Sequence, residues 1–127
     1  MAQKILVVDD NISDLKTMGE ILRKTGYKVV TASNGATAFD TLKNNKFDLI
    51  LIDILMPTLS GYDLLRLLRE RLNGNARMVF VSIVPKKEVD MTDIDGFIQK
   101  PFNIRDFVRE VKSALRKKLE VKKWQKL

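Results

Sequence analysis

Four short stretches of this chain finish at side chains able to do chemistry. Ile5-Leu6-Val7-Val8 runs into Asp9 and Asp10, and Phe47-Asp48-Leu49-Ile50-Leu51-Ile52 runs into Asp53. Met78-Val79-Phe80-Val81 leads to Ser82, and Gly96-Phe97-Ile98-Gln99 leads to Lys100. If the fold gathers these ends, three carboxylates meet with no basic residue beside them in sequence. Like charges held together are costly unless a cation sits among them. The chain has no histidine and no cysteine, which leaves carboxylates as metal ligands and favours a hard ion such as Mg²⁺ over Zn²⁺. A carboxylate nucleophile, a divalent ion, a hydroxyl and an ammonium are the parts phosphoryl transfer needs. In that reaction the protein positions an oxygen in line and neutralises charge on the moving group.

The elements that would position these groups are legible from hydrophobic period. Apolar runs such as Ile5–Val8 suit strands buried on both faces. Between them lie amphipathic stretches. Leu15, Met18, Ile21 and Leu22 follow Asn11 or Ser13 as N-cap and stop at Gly26. Lys28–Ala32 reads as a second strand, and Gly35 opens a short helix with Ala36, Phe39 and Leu42 on one face. Phe47–Ile52 is the third strand. Pro57 and Gly61 mark a loop before a helix carrying Leu64, Leu65, Leu68 and Leu72, which Asn73-Gly74-Asn75 stops. Met78–Ile83 and Gly96–Gln99 are the fourth and fifth strands. Ile104, Phe107, Val108, Val111 and Leu115 form the stripe of a final helix.

Strands alternating with helices imply an α/β fold, a doubly wound five-stranded parallel sheet with helices on both faces. The flavodoxin-like strand order 2-1-3-4-5 fits best, and in such sheets ligands sit at the carboxyl ends of the strands, near the switch point between the first and third. Those two strands end in the carboxylates.

Composition sets the outer bounds. With 127 residues, 45% hydrophobic and 31% charged, the chain is a single globular domain. No apolar run approaches the ~20 residues that span a bilayer, and no signal peptide is visible, so a cytoplasmic location is expected. The net charge of +7 is uneven. Residues 1–103 hold 14 Lys/Arg against 13 Asp/Glu, and residues 104–127 hold 9 against 3. An anionic partner would therefore meet the C-terminal segment, but no helix-turn-helix pattern accompanies it and nucleic acid is not the expected partner.

Taken together, Val7-Val8-Asp9-Asp10-Asn11, then Asp53-Ile54-Leu55-Met56-Pro57 with Gly61, then Ser82, then Lys100-Pro101-Phe102, resemble the response-regulator receiver domains. The likeness covers residues 4 to about 118. It implies that Asp53 is the phosphoacceptor and that Asp9, Asp10 and Asp53 hold Mg²⁺ together with the Leu55 backbone carbonyl. It implies that Ser82 binds a phosphoryl oxygen and relays a switch, that Phe97 is the switch aromatic, and that Lys100 pairs with the phosphoryl group. The implied role is a two-component signal transduction protein, an acceptor that catalyses its own aspartyl phosphorylation and dephosphorylation rather than an enzyme acting on other molecules. Implied partners are a sensor histidine kinase or phosphotransfer protein and a downstream protein target, with the chain a monomer or weak homodimer.

The chain departs from the family pattern between Ser82 and Lys100. Ile83 stands where a small residue is usual, and Val84–Asp95 is too short and too weakly amphipathic for a full fourth helix. Two turns from Pro85 or a plain loop both fit. This departure supports the alternative of a degenerate receiver, a binding module independent of phosphorylation. Leu55 and Val84, two residues beyond Asp53 and Ser82, stand at sites that in the resembled family help govern loss of the phosphoryl group; being apolar, they cannot orient an attacking water, so the resemblance implies a slowly lost phosphoryl group. An aspartate-based phosphatase would need a second acid where Leu55 stands, and no dinucleotide-binding Gly-x-Gly-x-x-Gly follows the first strand. The expected division is a receiver over 1–119 and a basic extension of the last helix over 120–127, where Val121 and Trp124 leave the stripe of Val111 and Leu115.

Overall fold

The computed structural model describes residues 2–72 and 76–117. In chain order these form β1 (Lys4–Val8), α1 (Ile12–Thr25), β2 (Lys28–Ala32), α2 (Gly35–Asn44) and β3 (Leu49–Ile52). Then come α3 (Gly61–Arg71), β4 (Arg77–Ser82), a 3-10 turn (Lys86–Glu88), β5 (Gly96–Gln99) and α4 (Ile104–Arg116). The sheet order is β2-β1-β3-β4-β5 and every pairing is parallel, as the alternation of elements predicts. None of the described helices is long and apolar enough to cross a membrane.

The central strands read as unbroken apolar runs because both of their faces are covered. Leu6, Val8, Ile50 and Ile52 join one buried cluster with Leu64 and Leu68 of α3. Ile5, Val7, Leu49 and Leu51 point the other way, into a cluster with Met18 and Leu22 of α1 and Phe107 and Val111 of α4. Burying a side chain of this size stabilises the fold by roughly 1.5–3 kcal/mol.

Each helix starts with a side-chain cap just past the carboxyl end of the sheet. Asn11 Oδ1 accepts the Asp14 N–H at 3.0 Å, and Asn34 Oδ1 accepts the Thr37 N–H at 2.8 Å. Ser60 and Asp63 cap reciprocally, and Asn103 Oδ1 accepts the Asp106 N–H at 2.8 Å. Asn11, not Ser13, is thus the first cap. Gly26 ends α1 at φ 105°, a left-handed conformation in which its N–H reaches back to the Arg23 and Leu22 carbonyls.

Several expectations need correction. β3 begins at Leu49 rather than Phe47: the Asp48 N–H still donates to the Lys4 carbonyl at 2.8 Å, but the Lys4 N–H is taken at 2.7 Å by the Asp48 carboxylate and not by a backbone carbonyl. β4 ends at Ser82, and Ile83 is 64% exposed. On α2 the buried alanine is Ala38, not Ala36, while Phe39 and Leu42 pack as expected. Ile104 opens α4 but is exposed, and Ala114 completes the stripe.

Between β4 and β5 a two-turn helix does not form. The apolar residues there, Val84, Val89, Met91 and Ile94, all pack on the core, while Lys86–Glu88 winds into a single 3-10 turn. Backbone groups find side chains instead: Tyr62 Oη accepts the Asp90 N–H at 3.1 Å, and Asp90 Oδ1 accepts the Thr92 N–H at 3.0 Å. The expectations for residues 120–127 lie outside the described residues.

Candidate functional site

The first carboxylates sit where β1 stops. Its ladder ends with the Asp9 N–H donating to the Ala32 carbonyl, and the chain then turns into α1. That turn is held by the Asn11 N–H on Asp9 Oδ1 at 2.9 Å. Asp9 is wholly buried and Asp10 is exposed. On the neighbouring strand the Asp53 N–H donates to the Val8 carbonyl, which sets the two strand ends side by side. Asp53 is buried, with Oδ1 accepting the Leu55 N–H at 3.1 Å. One carboxylate oxygen from each of Asp9, Asp10 and Asp53 lies within 4.8 Å of the others. Three anionic oxygen donors at this spacing, one of them open to water, fit a small hard dication that keeps part of its hydration shell.

Lys100 closes the site from the end of β5. Its backbone N–H donates to the Ser82 carbonyl, and the Lys100–Pro101 peptide bond is cis. The ammonium reaches Asp9 Oδ2 at 2.7 Å, Asp14 Oδ2 at 2.8 Å and Asp53 Oδ2 at 3.4 Å. Burial alone would push its pKa down, but the bonds to Asp14 and Asp9 and the nearby carboxylate charges outweigh that and hold it above the ordinary range. It is therefore a fixed positive charge beside Asp53.

For Asp9 the balance runs the other way. Burial raises its pKa to about 6, against the lowering effect of Lys100 and the Asn11 N–H. The folded protein thus holds this proton more tightly than the unfolded chain, whose Asp titrates near 3.8. Below both values Asp9 is neutral in either state and adds nothing. Above about 6 its ionisation counts against the fold, by something on the order of 2–3 kcal/mol. With cations chelated, Asp9→Asn should therefore gain stability relative to wild type as pH rises from about 4 to about 7. Urea unfolding of both proteins across that range would show it, and a constant difference would refute it.

Ser82 is fully buried at the end of β4, and its Oγ accepts the Val84 N–H at 3.4 Å. Phe97 lies in the cluster that includes Phe80 and Val89, while the next residue, Ile98, faces the opposite layer. Gly61 fits under the β3–α3 loop because a Cβ there would lie 2.5 Å from the Asp53 carbonyl oxygen and 2.8 Å from Ile54 Cα. Leu55 is 51% exposed, and Val84 packs against the core. Leu55, Ile83, Ile12 and Ile104 are the exposed large apolar side chains among the described residues, and all stand at this end of the sheet.

The residue that sequence reasoning missed is Asp14. At the third helical position after the Asn11 cap it reads as an ordinary acidic residue in a first turn, favourable to the helix dipole. Nothing local reveals that α1 aims it at a lysine far along the chain. The signal available was only that Asp14 follows the Asp9-Asp10 pair by about one turn.

Comparisons with known proteins agree with this fold. The family model described as the response regulator receiver domain matches residues 5–112. The alkaline phosphatase synthesis transcriptional regulatory protein PhoP of Bacillus subtilis is 31% identical over 125 residues, covering 92% of this chain and 50% of that protein. The transcriptional regulatory protein CpxR of Escherichia coli is 32% identical over 119 residues, covering 90% and 50%. The chain thus spans about half the length of these curated relatives. Among solved structures, a CheY-like receiver domain protein from Methanospirillum hungatei superposes with a TM-score of 0.81 at 28% identity, covering 91% of this chain and 94% of that one. The response regulator TrrA of Thermotoga maritima, solved in complex with Mg²⁺-BeF, gives 0.79 at 27% identity, covering 88% and 98%.

Proposed function

This chain belongs to the response regulator receiver domain family of two-component signalling, and from that premise we propose that it accepts a phosphoryl group on Asp53 from the phosphohistidine of a sensor histidine kinase or phosphotransfer protein. The observation that carries this reading is the convergence of Asp9, Asp10 and Asp53 within 4.8 Å, with Lys100 Nζ 3.4 Å from Asp53. A carboxylate oxygen of Asp53 forms the new bond to phosphorus as the bond to the donor nitrogen breaks, and the imidazole leaves. Lys100 then donates to a phosphoryl oxygen, exchanging part of its bond to Asp53 for one to the incoming group. The Ser82 hydroxyl donates to another, drawing β4 and its register partner β5 toward the new charge and shifting Phe97 within its cluster.

Asp9, Asp10 and Asp53, with the Leu55 carbonyl, would hold Mg²⁺, a reading supported by the oxygen-only donor set and by TrrA, whose solved complex contains Mg²⁺-BeF. Bound there, the ion would offset negative charge on the phosphoryl group during transfer. Loss of the phosphoryl group to water would use the same residues. The apolar rim of Ile12, Leu55, Ile83 and Ile104 gives an approaching kinase or phosphotransfer protein a surface to bury beside Asp53. Output would pass to a protein partner rather than to nucleic acid, from a cytoplasmic monomer or weak homodimer.

Intact mass after incubation with acetyl phosphate tests the reading. One phosphoryl increment is expected with Mg²⁺ present, and none after chelation. A folded wild-type protein that stays unmodified under both conditions, and with a phosphorylated kinase as donor, would instead make it a phosphorylation-independent binding module.

A further inference from the structure

We propose that Asp14 is a positioning residue for Lys100: it anchors the ammonium at the rim and receives it when a divalent cation takes over Asp9. The inference rests on the reading of Asp9, Asp10 and Asp53 as the cation site.

An ammonium has three N–H donors, and here three carboxylates surround it, at 2.7 Å (Asp9), 2.8 Å (Asp14) and 3.4 Å (Asp53). Asp9 and Asp53 belong to the three-carboxylate cluster; Asp14 does not. Lys100 is therefore the internal counter-ion of the very oxygens a cation would use. Asp9 Oδ1 is already occupied by the Asn11 N–H and Asp53 Oδ1 by the Leu55 N–H. Each of those oxygens keeps a second lone pair, but the two that Lys100 contacts, both Oδ2, carry no backbone N–H and are the more open to a metal. Cation and ammonium compete for them, and like charges at such range repel strongly.

Asp14 resolves the competition without sending Lys100 into solvent. Its side chain is 38% exposed, while that of Asp9 is fully buried. It can thus keep a charged partner at little desolvation cost. Its place is tied to the metal ligands through one residue: Asn11 donates its N–H to Asp9 Oδ1 and accepts the Asp14 N–H on its own side chain. With four carboxylates and one ammonium the rim carries a charge of −3, and a dication still leaves −1, so the Lys100–Asp14 pair remains favourable with the cation in place. Without Asp14, the ammonium has only the cation's own ligands to hold.

The test is calorimetric titration with Mg²⁺ alone on the full chain, comparing wild type, Asp14→Asn, Lys100→Met and the double variant, each first shown to be folded by circular dichroism. Asp14→Asn should weaken Mg²⁺ binding roughly three- to tenfold, and Asp14→Glu should recover most of the loss. Lys100→Met should tighten binding, and in that background Asp14→Asn should have almost no further effect. Equal weakening by Asp14→Asn in both backgrounds would overturn the proposal, because the residue would then act only as a distant charge. Unchanged affinity in Asp14→Asn would overturn it as well. Absence of any Mg²⁺ binding by wild type would bring down the cation-site reading together with this one, whereas normal wild-type binding with a flat cycle removes this one alone.

Discussion

Replacing Asp53 by asparagine is expected to abolish phosphoryl incorporation from acetyl phosphate at every donor concentration, with the fold intact. An amide is isosteric with the carboxylate but carries no negative charge, so it lacks both the nucleophilic oxygen and one anionic cation ligand. The structural contact survives the change, since an asparagine oxygen can still accept the Leu55 N–H that Asp53 Oδ1 accepts at 3.1 Å. Removing one charge from a cluster of three carboxylates within 4.8 Å relieves repulsion, so the melting temperature should hold or rise. Loss of the adduct is then chemical and not a sign of unfolding. Intact-mass spectra paired with thermal melts separate these outcomes. An adduct of wild-type size in Asp53→Asn would place the acceptor elsewhere, and Asp9 or Asp10 would be the next variants to make.

Gly61→Ala is expected to damage both stability and phosphorylation, although residue 61 carries no reacting group. The added methyl would meet the Asp53 carbonyl oxygen at 2.5 Å, Ile54 Cα at 2.8 Å and the Asp53 carbonyl carbon at 3.1 Å. All three are backbone atoms of the segment that carries Asp53, so no side chain can rotate away to make room. The Gly61 N–H also donates to the Ile54 carbonyl at 2.9 Å, pinning α3 to the end of β3. Forcing the two apart should cost about 1–3 kcal/mol, a fall of roughly 3–15 °C in melting temperature for a domain of this size. Because the displaced atoms belong to Asp53 and Ile54, the Asp53 carboxylate moves relative to Lys100 and the other carboxylates. The rate of adduct formation should therefore drop by at least about tenfold even where the variant is fully folded, given how steeply such chemistry depends on placement. A variant that melts like wild type and is modified at the wild-type rate would show that the loop can absorb the methyl.

Much of this fold is legible in the sequence. Sheet order, parallel pairing and the convergence of Asp9, Asp10, Asp53, Ser82 and Lys100 at one edge follow from where the apolar runs stop. The reason is periodic: a strand buried on both faces has no polar position to spare, so the first polar residue marks the sheet edge. The first cap was legible as one of two candidates, because Asn11 acts within three residues of itself; Ser60 and Asn103 cap their helices at the same short range. Where the reading slipped, tertiary contacts had overridden local pattern. Ile83 and Ile104 look like core residues by type, yet the chain has already left the sheet at Ser82, and α4 has not yet reached it at Ile104.

The segment from Val84 to Asp95 shows the boundary most clearly. Its composition fits a short helix or a loop, and nothing within it decides between them. The decision comes from Tyr62, Phe80 and their neighbours, which offer apolar surface and a hydroxyl acceptor at spacings that an irregular path satisfies better than a helix. Asp14 is the same lesson at the site. Which groups end the strands is already written in the chain's hydrophobic pattern. That α1 leans its first turn toward the end of β5, bringing Asp14 and Lys100 to 2.8 Å across 86 residues of chain, emerges on packing alone. Strand ends follow from a period of two along one segment, whereas a contact of that range depends on how two separately formed layers settle on the same sheet, and no local pattern encodes that.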